Sequence, residues 1–170
     1  RAVLVGVDFG AGSAFDPTLE ELALLASSAG DEPVARVTTR RRAPDAALFI
    51  GSGKVDEIKA LVAGTAAQGV IFDQALSPVQ QRNLERELGV PVADRTAVIL
   101  DIFAQHANTR EGQLQVKLAQ YEYFLPRLTG ADAAVAAARA SRMEDTGLSQ
   151  ADLDRFLRGT GVNERRDENQ

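Results

Sequence analysis

Short apolar runs alternate with amphipathic segments over residues 1–104. The opening run Ala2–Asp8 is rich in Val and almost continuously apolar, which is typical of a strand buried on both faces. Further strands are predicted at residues 33–39, 46–50 and 70–72, with a brief extended piece at 90–92. The segments between them carry apolar residues at spacings of three and four, as helices packed on a sheet do. This alternation predicts the α/β class, with a small, mostly parallel sheet and flanking helices.

Capping and breaking residues mark the ends of the predicted helices. Gly30 can end a first helix, and a second is predicted over residues 53–67. Ser77-Pro78 is a strong helix start. The Ser oxygen can accept a hydrogen bond from a first-turn backbone amide that has no partner within the helix. Pro at the first helical position lacks only an N–H that would have no such partner either. That helix is expected to stop at Gly89, and Thr96 is the predicted cap of the next one.

The pattern changes after about residue 108. Leucine and tyrosine repeat at intervals of four and three, an a/d seam of about two heptads, at Leu114, Leu118, Tyr121, Leu125 and Leu128. An Ala-rich, helix-prone stretch follows at 131–143, and Ser149 with Asp152 forms a capping-box pattern. We therefore predict an α/β subdomain at 1–104, a coiled-coil-like helical hairpin extension at 105–158, and a polar tail or linker at 159–170. Burial of the seam against a second copy, a weak self-association, is the alternative.

Composition excludes several kinds of chemistry. The 170 residues contain no Cys and a single His, so disulfides, thiolate zinc sites and cysteine nucleophiles are ruled out, and no metal site is predicted. No apolar run approaches the roughly 20 residues of a transmembrane helix, and no signal peptide is evident. We expect a soluble, cytoplasmic protein. The net charge of −5 argues against DNA binding, and basic residues outnumber acidic ones only over 105–142.

A glycine-rich loop precedes the second helix. Gly51, Gly53 and Lys54 are similar to part of a phosphate-binding loop, but the P-loop spacing fails at Leu48 and Val55. A structural turn is the favoured interpretation. The alternative is an ATP or purine nucleotide site formed by this loop with Asp73, which follows a strand.

Other charged residues have ordinary explanations. Asp94 and Asp101 are interpreted as caps or salt-bridge partners rather than acid-base catalysts, and His106 as a surface residue. The run 40–42 of three arginines could bind phosphate, and a solvated turn explains it equally well. No catalytic residue is assigned.

Cations also follow the helical extension. Arg110, Lys117 and Arg127 are interleaved there with aromatic and amide side chains, which would suit contact with the phosphates and sugars of structured RNA. The charged outer face of a coiled coil is an equally good interpretation.

Three stretches resemble the N-terminal domain of the HflX family of translation-associated GTPases. They are GSGKVDEI at 51–58, VIFDQALSPVQQRNLE at 70–85, and the long block from 92 to 130 that begins VADRTAVILDIFAQHANTREGQ. The resemblance implies an α/β subdomain followed by a helical hairpin that reaches into the large ribosomal subunit. It also implies that a complete family member couples GTP hydrolysis, with Mg, to ribosome dissociation or rescue of stalled ribosomes. A purine nucleotide site has been suggested in the same domain.

Two departures from the family pattern shape the prediction. Residues 131–170 lead to no GTPase domain with a P-loop, so the chain is expected to be a truncated piece or a relative without that domain, holding no cofactor itself. His106 stands where the family has Arg. The predicted function is binding of the large subunit, with Arg110, Lys117 and Arg127 as rRNA contacts.

Overall fold

The computed structural model describes residues 1–10 and 15–128. Four strands and five helices alternate along them: β1 (Ala2–Asp8), α1 (Phe15–Ser28), β2 (Pro33–Arg40), α2 (Ser52–Thr65), β3 (Gly69–Phe72), α3 (Pro78–Leu88), β4 (Val92–Asp94), α4 (Arg95–His106) and α5 (Arg110–Leu128).

The strands form one parallel sheet in the order β2-β1-β3-β4. All seven residues of β1 are buried, and the strand pairs with β2 on one side and β3 on the other. The α/β class and the parallel sheet are confirmed, and the first strand is buried along its whole length, as its apolar run predicts.

The alternating side chains of β1 supply two separate cores. Val3, Val5 and Val7 pack with the buried face of α2 and with α3, whose Leu84 is fully buried. Leu4 faces the opposite side, where α1 and α4 cover the sheet. Helices on both faces explain why the strand reads as a continuous apolar run rather than an alternating one.

The start of α3 has the predicted capping geometry. Ser77 Oγ accepts from the amide of Gln80 at 3.1 Å, and Gln80 Oε1 accepts from the amide of Ser77 at 2.9 Å, which completes a capping box. Gly89 ends the helix in the left-handed conformation at φ 72°.

Two predicted features are wrong. Residues 46–50 form no strand, because the Asp45 carboxylate accepts from the amides of Ala47 at 2.9 Å and Leu48 at 2.8 Å and folds the segment into a turn. Phe49 closes this turn at φ 67° with a single bridge to Asp45. Thr96 does not cap α4: Asp94 does, by accepting from the amide of Ala97 at 3.2 Å.

Helix α5 packs against the α/β layers through its second half. Tyr123 and Phe124 pack with Ala97 and Leu100 of α4, and α5 also contacts α3. The division at 104/105 stays a prediction, and the second hairpin arm, the capping box at 149–152 and the tail lie outside the described residues. No helix in the described part is long and apolar enough to cross a membrane.

Candidate functional site: the carboxyl edge of the sheet and helix α5

Charged residues lie where each strand ends. Asp8 and Arg40 end β1 and β2, Asp73 follows β3, and Asp94 ends β4. Because the strands are parallel, all four lie at one edge of the sheet, the edge where open α/β sheets hold ligands. The described residues contain no group of three or more His, Asp or Glu side chains placed to hold a metal.

The carboxylate of Asp73 is buried in an ion pair. Arg95 donates to its Oδ1 through Nε at 2.9 Å and through Nη2. The same guanidinium contacts Glu21 Oε1 at 2.9 Å and the carbonyl oxygen of Thr18 at 2.9 Å. Asp73 and Arg95 therefore join the end of β3 to α1 and α4.

The loop of Gly51, Gly53 and Lys54 forms the start of α2. Gly51 is the N-cap in an extended conformation with no side-chain cap, and Gly53 is exposed. Lys54 Nζ donates to Glu57 Oε2 at 2.8 Å. Within the described ranges, no hydrogen bond or ion pair joins Lys54 to Asp73, since Lys54 pairs with Glu57 and Asp73 with Arg95. Their role in nucleotide binding stays a prediction.

Gln74 occupies the gap between the two central strands. Its Nε2 donates to the carbonyl oxygen of Val7 at 2.6 Å, and its Oε1 accepts from the amide of Val7 at 3.4 Å. The strand order reverses here, so this is the crevice where ligands of such folds usually sit. The side-chain amide of Gln74 occupies this crevice, and no local sequence pattern around Gln74 predicts its contact with Val7.

Asp94 joins β4 to α4 and α5. Only 1% exposed, it accepts from the amide of Leu76 at 3.0 Å and the hydroxyl of Tyr123 at 2.8 Å, besides capping α4. The cap predicted from sequence is confirmed for Asp94, and three donors explain why the carboxylate can be buried.

Arg127 faces the α/β layers. Its Nε donates to Gln81 Oε1 at 2.7 Å, its Nη2 to the carbonyl oxygen of Leu76 at 2.7 Å, and its Nη1 to that of Tyr123 at 2.9 Å. The guanidinium also lies 3.9 Å from the centroid of the Tyr123 ring. This cation anchors α5 from within the protein.

The opposite face of α5 points outward. Arg110, Leu114, Lys117 and Leu118 share one side of the helix at 100° per residue, turned away from Tyr123 and Arg127. Arg110 is exposed and Lys117 partly so, while Leu114 and Leu118 are 59% and 45% exposed. Two of the three predicted RNA-contacting cations therefore lie together on one accessible surface, which we call the outward face of α5.

Comparison with known proteins places this fold in a class. The family model described as "GTP-binding GTPase N-terminal" matches residues 16–104, and that described as "GTP-binding GTPase Middle Region" matches residues 106–165. The class is thus the N-terminal and middle regions of a GTP-binding GTPase.

The similar curated proteins identify the family within this class. The "GTPase HflX" of Escherichia coli K12 is 48% identical over 128 residues, covering 75% of this chain and 30% of the relative. That of Alkalihalophilus pseudofirmus is 46% identical over 116 residues, covering 68% of this chain and 27% of the relative. The chain belongs to the HflX family of GTPases and spans less than a third of the length of these two curated relatives.

Solved structures agree on the fold. A GTP-binding protein from Sulfolobus solfataricus in complex with GDP superposes with a TM-score of 0.58 at 23% identity, over 92% of this chain and 46% of the other. A single-residue variant of SsGBP gives a TM-score of 0.61 at 26% identity, over 75% of this chain and 40% of the other.

Proposed function

We propose that this chain is the part of an HflX-type GTPase that binds the large ribosomal subunit by contacting rRNA. The observation that carries the proposal is the outward face of α5, where Arg110 and Lys117 lie on a surface the α/β layers leave uncovered. Structured RNA is recognised mostly through phosphates, sugars and shape, for which cations on a rigid helix are suited.

The anchoring of α5 supports this proposal. Tyr123 and Arg127 fix the second half of the helix through Asp94, Gln81 and Leu76. Cations on a fixed helix lose less conformational entropy on binding than cations on a mobile one, because the backbone is already ordered.

The activity of the complete family member is part of the proposal. There, GTP hydrolysis with Mg in a separate domain would be coupled to ribosome dissociation or rescue of stalled ribosomes, in the cytoplasm. We assign binding of the large subunit, and no hydrolytic step, to the present chain.

Co-sedimentation of the full chain with purified large subunits at about 50 and 200 mM salt tests the proposal. The double variant Arg110→Glu with Lys117→Glu should lower the affinity at least tenfold, because both phosphate contacts become repulsive. The matched control reverses two exposed cations on other helices, Lys59→Glu with Arg86→Glu, and should stay within about twofold of the parent.

Equal losses in both variants would remove Arg110 and Lys117 from the interface, and no sedimentation of the parent chain at low salt would overturn the function itself. The ATP site at 51–54 and self-association stay predictions. A thermal shift with ATP tests the first, and concentration-dependent mass tests the second.

A further inference from the structure

An open concavity of about 530 Å³ lies at the carboxyl edge on the side of β1 and β2. It is lined by Asp8, Phe9, Gly10, Arg40, Arg41 and Arg42. The ion pair of Asp73 with Arg95 and the outward face of α5 are formed by other residues, so the proposed function leaves this concavity unused.

Positive charge dominates the lining. The side chain of Arg40 is 88% exposed, with its Nε 3.5 Å from Asp8 Oδ2, and Arg42 is exposed. Asp8 is the acidic group of the lining, and its buried carboxylate also accepts from the amide of Gly10 at 2.8 Å. Three guanidinium groups against one carboxylate leave a net positive surface.

Arg41 extends this charge toward α2. Its Nε donates to the carbonyl oxygen of Ala43 at 3.3 Å, and its Nη1 lies only 3.0 Å from where a Cβ on Gly51 would be. The guanidinium thus sits at the start of α2, whose first turn has no acidic residue and whose N-cap has no side-chain acceptor. The helix dipole adds to the positive potential there.

A second acidic residue, Asp45, lies near Arg41 and accepts hydrogen bonds from backbone amides. The amides of Leu48 and Ala47, and more weakly the charge of Arg41, hold the pKa of Asp45 below its usual range. Because its pKa is lowered, the Asp45 carboxylate stays charged and offsets part of the charge of Arg41. Asp8 and Asp45 together still leave the three arginines with a net positive charge.

The shape and chemistry of the concavity favour one kind of ligand. Arg forks match phosphate oxygens in pairs, and the half-buried ring of Phe9, which packs edge-on against Phe49, lies beside them for contact with a base. The site is open rather than enclosed, which suits an extended strand more than a single nucleotide. The geometry points to a second RNA-binding site, in which Arg40, Arg41 and Arg42 hold the phosphodiester backbone of a single strand.

The test uses the full chain and a fluorescently labelled octauridylate, with binding followed by anisotropy at about 50 and 200 mM salt. With about three phosphate contacts and a slope of about 0.7 each, affinity should fall roughly 20-fold between these salts. The variant Arg40→Gln with Arg42→Gln should lose at least about fivefold in affinity and flatten the salt slope. Arg41 is left in place because it packs at the start of α2.

Two controls isolate the site. The variant Lys59→Gln with Arg86→Gln removes the same charge from exposed positions on α2 and α3, and should change affinity less than about twofold. The variant Arg110→Gln with Lys117→Gln should retain octauridylate binding, which separates this site from the outward face of α5.

Three results would overturn the inference: no binding of the parent chain at low salt, equal losses in the Arg40/Arg42 and Lys59/Arg86 variants, or retention of binding in the Arg40/Arg42 variant. Displacement of octauridylate by pyrophosphate or by oligoglutamate at matched charge would assign the concavity to small anions or acidic peptides instead. Thermal unfolding of each variant checks that the fold is unchanged.

Discussion

Asp94 lies at the meeting point of β4, α4, α5 and the loop before α3. A buried carboxylate is costly unless its oxygens are bound, and here Leu76, Ala97 and Tyr123 all donate to it. A single side chain therefore holds together elements that are distant in sequence.

Substitution of Asp94 should destabilise the fold more than loss of one partner. Asp94→Ala leaves buried donors unsatisfied and removes a helix cap, at a cost of at least about 4 kcal/mol in the free energy of unfolding. Tyr123→Phe removes one donor and should cost about 1.5–3 kcal/mol, because the hydrogen bond is to a charged group. Urea denaturation measures both. Asp56→Ala, at an exposed position on α2, should be within about 0.5 kcal/mol of the parent.

Interactions between residues close together in the sequence can be predicted from it, whereas interactions between residues far apart in the sequence cannot. The capping box of α3 joins Ser77 to Gln80, three positions away, and is legible in the order of residues. Asp94 reaches Leu76 and Tyr123, separated by 18 and 29 positions, and Arg95 reaches Asp73 at 22. Those partners become neighbours only once the sheet exists, so the candidate carboxylates were visible in sequence but their partners were not.

At the scale of the element, the end of α2 departs from the usual choice of residue. Ala66 is the C-cap of this helix in the left-handed conformation at φ 52°, where its amide donates to the carbonyl oxygen of Val62. Gly89 adopts the corresponding conformation at the end of α3 without a Cβ to crowd the carbonyl.

Exchanging these two residue types should have opposite effects. Ala66→Gly should raise the midpoint of thermal unfolding and increase the free energy of unfolding by about 1 kcal/mol. Glycine adopts the left-handed conformation without the steric strain of the alanine Cβ. Gly89→Ala should lower stability by a similar amount for the same reason. A loss of stability in Ala66→Gly would mean that the backbone entropy of glycine outweighs the relieved strain.

Strand prediction failed where side chains override a pattern. Residues 46–50 are apolar enough for a strand, yet the Asp45 carboxylate bonds the next amides into a turn and Phe49 takes a positive φ. Phe49 still reaches the core and packs edge-on against Phe72 at 6.0 Å. The apolar character of Phe49 therefore predicted its burial correctly, but the prediction of a strand at this position was wrong.

On the scale of the whole molecule, Arg127 connects α5 to the α/β layers. Arg127→Met keeps a long apolar stem but leaves Gln81 Oε1 and the carbonyl oxygen of Leu76 without this donor. Hydrogen exchange of the amides around Tyr123 should accelerate about tenfold or more, while exchange in β1 stays unchanged, because α5 opens locally.

Arg110→Met is the matched control for this measurement, since Arg110 lies on the outward face of α5. It should leave exchange around Tyr123 as in the parent chain. Equal acceleration across the sheet in Arg127→Met would show instead that α5 and the sheet unfold as one cooperative unit.

The docking of α5 is the part of the architecture that sequence did not indicate. The leucine seam suggested a helix whose apolar stripe faces its partner, and Tyr121 of that seam is buried, yet Leu114 and Leu118 are 59% and 45% exposed. The α/β layers bind α5 through the hydroxyl of Tyr123 and the guanidinium of Arg127. A search for hydrophobic periodicity assigns a charged side chain such as Arg127 to solvent. The parallel sheet, by contrast, followed directly from the apolar runs.

The central position of β1 has a consequence for the chain during its synthesis. Ala2 pairs with Gly69 and Val5 with Phe72, so the inner edge of the most apolar strand has no neighbour until those later residues leave the ribosome. At about 5–20 residues per second, that interval is roughly 3–13 s. During it, the nascent chain carries an open edge next to valine and leucine side chains, the kind of surface that holding chaperones shield.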